Sequence, residues 1–156
     1  MRYAVLGTGA MGLRYGILLQ NAGFKVDFID TWDQQVETIR EQEGVYVSRD
    51  GQNRQLVPID VYYPEEYRGD ADVLIVFTKQ YMLANLLQRC APFFNGRQYV
   101  LTCMNGMGHI EKINRYFPAK RVIGGTAMMG TVLNKAGDVD FIGPKGTGST
   151  NLANET

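Results

Sequence analysis

Gly7-Thr8-Gly9-Ala10-Met11-Gly12 fits the spacing G-x-G-x-x-G, between a short apolar run at Tyr3–Leu6 and a segment of helical periodicity. Strand, turn and helix in that order give each glycine a task. Gly7 permits a tight turn, Gly9 lets backbone approach a pyrophosphate closely, and Gly12 lets the helix pack on the strand. The helix start, with Ala10 and Met11 in its first turn, then presents free N–H groups and a positive dipole end to an anion. A glycine-rich turn without a ligand is the plain alternative. The three glycines in register between strand and helix point instead to a dinucleotide.

Asp30 lies 18 positions beyond Gly12, at the predicted end of the second strand. An acid at about that distance typically accepts hydrogen bonds from the adenine ribose of NAD. A 2′-phosphate there would meet a like charge, at roughly 4 kcal/mol for unit charges 4 Å apart in an effective dielectric of 20. Thr31, Trp32, Asp33, Gln34 and Gln35 supply no cation to offset this, so Asp30 favours NADH over NADPH. The rival role for Asp30 is to cap the following helix, a role for which Asp33 competes.

Lys79 and Asn105 both fall just past predicted strand ends, where open α/β sheets bind ligands. On residue type alone Lys79 reads equally as a solvated lysine at a helix start. Asn105-Gly106 reads equally as a turn or N-cap. His109, the single histidine, reads as a surface or helix-start residue. Cys90 and Cys103 show neither CxxC spacing nor nearby histidines, so they read as packed thiols and no metal site is expected. Met104, Met107, Met128 and Met129 read mainly as core.

These residues need elements to hold them. Tyr3–Leu6, Lys25–Asp30, Asp72–Phe77 and Gln98–Thr102 are apolar runs of the buried-strand type. Helical patterns follow from Ala10 to a stop at Asn21-Ala22-Gly23, and over about 33–43, 80–91 and 108–117. Residues 44–63 suggest a small hairpin-like excursion. After Arg121 the pattern turns to strands at 122–123, 128–133 and 139–142, with a hairpin around Lys135–Asp138. The alternation predicts an α/β fold: a Rossmann-type doubly wound parallel sheet with a strand-rich C-terminal extension. Residues 1–145 form the dinucleotide-binding domain in this reading, and 146–156 a linker or disordered tail.

The chain has 156 residues, 16 Lys+Arg against 16 Asp+Glu, and 45 % hydrophobic residues. Zero net charge argues against a nucleic-acid partner. Ordinary apolar content argues against disorder. No apolar run is long enough for a bilayer span, and the first strand starts too near Met1 to leave room for a signal peptide. A cytoplasmic setting is the expectation.

Taken together the motifs resemble the N-terminal domain of the ketopantoate reductase (2-dehydropantoate 2-reductase) family. The glycine motif stands at the extreme N-terminus. Phe77-Thr78-Lys79-Gln80-Tyr81 is similar to the family's lysine segment, and Met104-Asn105-Gly106-Met107-Gly108 to its Asn-Gly-x-Gly segment. Gly125-Thr126 and Gly143-Pro144 continue the pattern, over about residues 1–145. The resemblance implies NAD(P)H-dependent reduction of a 2-oxo acid, ketopantoate or a branched or aromatic relative, to a 2-hydroxy acid. It implies that Lys79 contacts the cofactor, that Asn105 contacts cofactor and substrate, and that a backbone group at Thr131 touches the cofactor. The family favours NADPH and generally carries a basic residue where this chain has Asp30-Thr31. The family's general-acid lysine belongs to a helical second domain not found in these residues, so this chain is expected to bind cofactor but turn over little substrate alone. A homodimer stays open. Two rivals remain: a non-catalytic dinucleotide-sensing module, and another Rossmann hydroxyacid or sugar-nucleotide dehydrogenase.

Overall fold

A computed structural model gives the fold and describes residues 1–104, 108–143 and 149–154. In chain order the strands are β1 (Arg2–Leu6), β2 (Lys25–Ile29), β3 (Val45–Arg49), β4 (Gln52–Val57), β5 (Asp60–Tyr62), β6 (Val73–Val76), β7 (Tyr99–Thr102), β8 (Val122–Met128), β9 (Gly130–Lys135), β10 (Asp138–Ile142) and β11 (Ser149–Asn154). The helices are α1 (Ala10–Asn21), α2 (Asp33–Gln42), α3 (Gln80–Cys90) and α4 (His109–Asn114).

Seven strands form the main sheet in the order β11-β8-β7-β6-β1-β2-β5. The six from β8 to β5 run parallel, and β11 pairs antiparallel with β8. From β1 the chain builds outward through β2 and β5, then crosses to β6 and builds the other way. That reversal between β1 and β6 is the topological switch point, where such sheets open a crevice at the carboxyl ends of their strands.

The central strands are apolar on both faces because each face has its own core. Ala4 and Leu6 of β1 join Leu74 and Val76 of β6 under Leu83, Leu87 and Ile113 of α3 and α4. Val5 and Ile75 point the other way, to Leu13, Ile17, Val36 and Ile39 of α1 and α2. Cys90 and Cys103 are both free and buried, and burial pushes the Cys90 thiol up to about 12.

A second sheet, ordered β4-β3-β10-β9, packs on the α1–α2 side. Its β3–β4 pair is the hairpin expected within residues 44–63, and β9 and β10 turn at Ala136-Gly137, with Gly137 at φ 69°. The hairpins are joined by β3 and β10 lying parallel, Val139 opposite Val47. Three expectations are corrected. Asp60–Tyr62, inside the supposed excursion, is the edge strand of the main sheet. Ser149–Asn154, read as part of a linker or tail, is a strand; its Thr- and Asn-rich sequence pairs through backbone with β8 and needs no apolar signal. The fourth helix ends at Asn114, because Arg115 and Tyr116 close the tighter hydrogen bonds of a final turn.

Candidate functional site

Gly7 follows β1 at φ 104°, a conformation that side chains disfavour, and its amide donates to the Ile29 carbonyl at 2.8 Å. A Cβ added to Gly12 would stand 2.0 Å from the Gly7 oxygen, so the first turn of α1 lies against the loop. A Cβ on Gly9 would meet nothing within 4 Å. Gly9 is the N-cap of α1, with no side-chain cap and no acidic residue in the first turn. Ala10 and Met11 are half-buried there. The first amides of this 12-residue helix thus have no side-chain capping oxygen, and its first turn carries no acidic side chain, which suits an anion. The open space over Gly9 is where a bound pyrophosphate would fit.

Beside this loop is a cleft of about 360 Å³ whose lining includes Gly7, Gly9, Asp30, Phe77, Lys79 and Leu133. It therefore draws on the ends of β1, β2 and β6, at the switch point. Lys79 is exposed at the N-cap of α3 and is the one cation among the described lining residues; Asp30 is the one carboxylate. Trp32 and Tyr81, 38 % and 79 % exposed, complete the walls.

Asp30 is nearly buried, and both of its oxygens are occupied by protein donors. The Thr8 amide and hydroxyl donate to Oδ2, and the amides of Thr31 and Trp32 donate to Oδ1. Asp30 therefore ties the turn before α2 as well as lining the cleft. Asp33 does not take the cap: the N-cap of α2 is Trp32, and Asp33 sits in the first helical turn.

Two buried polar side chains bind the second sheet to this region. Gln35 of α2 donates to the Thr8 carbonyl at 2.6 Å and accepts from the Gly137 amide at 2.8 Å. Arg14 of α1 donates to the carbonyls of Gly130 and Ile142 and approaches the Thr131 hydroxyl at 3.5 Å. Burial, with Arg49 close by, lowers the Arg14 pKa. Tyr15 of α1 packs 4.7 Å from the Phe77 ring and hydrogen-bonds Thr150 of β11; burial raises its pKa.

The residues singled out in the sequence thus divide. Gly7, Gly9, Asp30 and Lys79 line one cleft, with Thr8 and Gly12 beneath it. Thr131 is not among the lining residues; Leu133, two positions on along β9, is. Asn105 lies outside the described residues. His109 is the first residue of α4, buried, with its Nδ1 3.1 Å from Gln80 Nε2. Sequence reasoning missed Trp32, Tyr81, Leu133, Gln35 and Arg14. Trp32 and Tyr81 carried a usable signal, because each follows a strand end that already pointed to the crevice. Gln35 and Arg14 carried none, since the second-sheet partners that give them their role are more than 100 residues away.

Comparison with known proteins supplies the family. Residues 3–154 match the model of the family described as "Ketopantoate reductase PanE/ApbA". The chain belongs to this family. The 2-dehydropantoate 2-reductase of Lactococcus lactis subsp. lactis is 30 % identical over 155 residues, covering 99 % of this chain and 48 % of the relative. Among solved structures, D-mandelate dehydrogenase in a ternary structure with NADH and anilino(oxo)acetate superposes with a TM-score of 0.90. It is 30 % identical, and the match covers 99 % of this chain and 48 % of that one. The 2-dehydropantoate 2-reductase of Geobacter metallireducens gives 0.83 at 29 % identity, covering 99 % and 49 %. The ketopantoate reductase-family domain seen here thus spans about half the length of the relatives it matches. Among its described residues no helix is long and apolar enough to cross a membrane.

Proposed function

We propose that this chain is the cofactor-binding unit of an NAD(P)H-dependent 2-oxo acid reductase. The observation that carries this is the uncapped, acid-free N-terminus of α1, which opens over Gly9 beside a cleft lined by Asp30 and Lys79. In this reading the loop amides and the first turn of α1 hold the pyrophosphate. Asp30 receives the adenine ribose, and Lys79 approaches the cofactor's anionic stretch from across the cleft. Asn105 positions nicotinamide and substrate, and the backbone near Thr131 closes the far side. When bound, the nicotinamide supplies a hydride to the carbonyl carbon of a 2-oxo acid. The developing alkoxide needs a proton donor within hydrogen-bond reach, and none of the residues assigned here fills that role.

Asp30 and the lack of a cation at residues 31–35 favour NADH; a structural neighbour whose own complex contains NADH supports that preference. Calorimetric titration of the 156-residue chain tests it. NADH is expected to bind at least tenfold more tightly than NADPH, a difference of about 1.4 kcal/mol. Tighter NADPH binding would reverse the assignment of Asp30. With ketopantoate or phenylglyoxylate and NADH, this chain alone is expected to give no turnover. Turnover at rates of 1 per second or more, the range of ordinary enzymes, would show that it holds its own proton donor.

A further inference from the structure

We infer that Thr8 is a positioning residue that sets the orientation of the Asp30 carboxylate and, through it, the choice between NADH and NADPH. This rests on the dinucleotide reading above. Thr8 has no exposed surface, so its side chain cannot touch a ligand in the cleft. Its hydroxyl and amide nevertheless converge on one oxygen, Asp30 Oδ2, at 2.5 and 2.7 Å. The amides of Thr31 and Trp32 hold Oδ1 at 2.7 and 2.9 Å. Two donors meet each oxygen and hold the carboxylate in one orientation at the wall of the cleft. Three of the four are backbone amides, placed by the strand ends. The Thr8 hydroxyl is the one side-chain donor, and it reaches across from the loop after β1 to the end of β2.

Thr8 is itself held. Its carbonyl accepts from Gln35 Nε2 at 2.6 Å, and the same amide group accepts from Gly137. Donors on both oxygens stop the carboxylate from swinging about its Cβ–Cγ bond. A ribose hydroxyl then meets an acceptor in one place, while a 2′-phosphate meets a negative charge that cannot turn aside. Without the Thr8 hydroxyl, Oδ2 keeps a single donor and the carboxylate is held less tightly in its orientation. Recognition of the ribose weakens and repulsion of the phosphate relaxes, so the selectivity falls from both sides.

The test uses ADP-ribose and 2′-phospho-ADP-ribose, which carry the adenine end of each cofactor without nicotinamide. Each is titrated calorimetrically into the 156-residue wild type, Thr8→Val and Thr8→Ser. The wild type is expected to prefer ADP-ribose. Thr8→Val, nearly isosteric but without the hydroxyl, is expected to lower that preference about tenfold, as loss of a hydrogen bond to a charged group would. Thr8→Ser keeps the hydroxyl and is expected to restore the wild-type ratio. Should Thr8→Val melt below the assay temperature, Thr8→Ala removes the same hydroxyl and gives the same readout. Equal weakening of both probes in the hydroxyl-free variants would overturn the proposal and leave Thr8 a support of the loop alone. An unchanged ratio, a serine variant that fails to restore it, or tighter ADP-ribose binding without the hydroxyl would each overturn it too. Wild-type binding of neither probe would overturn the dinucleotide reading itself; tighter wild-type binding of the phosphorylated probe would overturn the role given to Asp30.

Discussion

The seven-stranded and four-stranded sheets bury their residues in different ways. In β1 and β6 consecutive side chains enter opposite cores, because helices cover both faces. In β4 five of six residues are exposed, and β9 alternates between exposed and half-buried along most of its length. The main sheet is held by apolar burial that is continuous from strand to strand. The second sheet rests one face on α1 and α2 and is tied down by a few buried polar groups, chiefly Gln35 and Arg14. Yet it contributes Leu133 to the cleft. One part of the site therefore stands on apolar cores on both faces of its sheet, and another on a single apolar face, through Val45, Val139 and Phe141, reinforced by buried hydrogen bonds.

The comparison can be broken at three places. The largest effect is expected from Gly12→Ala, which sets a Cβ 2.0 Å from a backbone oxygen of the main-sheet loop. A loss of about 3 kcal/mol in urea unfolding is expected, with loss of dinucleotide binding, because backbone must move to relieve the overlap. Gln35→Leu should cost about 2 kcal/mol by stranding the Thr8 carbonyl and the Gly137 amide. Hydrogen exchange should quicken at Gly137 and its neighbours in β9 and β10, while β1 and β6 stay protected. Unchanged exchange there would show that the second sheet does not depend on this link.

The smallest effect lies on the far side of the second sheet, where Arg54 pairs with Asp138 at 2.9 Å. The arginine side chain is half exposed, so Arg54→Ala should cost no more than about 1 kcal/mol. Burial pushes the Asp138 carboxyl up, but hydrogen bonds from Asn134 and Arg54 and the arginine's charge outweigh it and hold the group below its ordinary value. A depressed carboxyl contributes stability above its unfolded pKa of about 3.9 and loses it as pH falls through the folded value. The difference between wild type and Arg54→Ala should hold from pH 7 to about 5 and shrink below about 3.9. A difference that grows in acid would mean that Asp138 is not held by this pair.

The same contrast explains what could be read beforehand. Strands buried on both faces announce themselves as runs such as Val73–Val76, and a loop of glycines between strand and helix leaves little choice of fold. Short-range signals also placed the turn at Gly137. The pairing of β3 with β10 joins segments about 90 residues apart, and no local pattern records which hairpin meets which. β5 has three residues and β11 is mostly polar, so neither carries the apolar signature of its sheet. At the site, Asp30 and Lys79 were legible because strand ends face the crevice. The donors that orient Asp30 were not, since the glycine motif marks Thr8 as part of the cofactor loop and says nothing of a bond to Asp30. Along β9 it is Leu133 that lines the cleft, two residues beyond the Thr131 whose backbone the resemblance placed at the cofactor.

Trp32 is the only tryptophan in the chain, and it stands in the wall of the cleft at 38 % exposure. The indole emission of the whole molecule therefore originates at the place where ligand is expected to arrive. A purine base stacking nearby would quench that light, and a reduced nicotinamide on the same cofactor would take up the excitation and emit it at longer wavelength. The protein carries its own label, and every variant named above that keeps Trp32 can be read by the colour of its fluorescence.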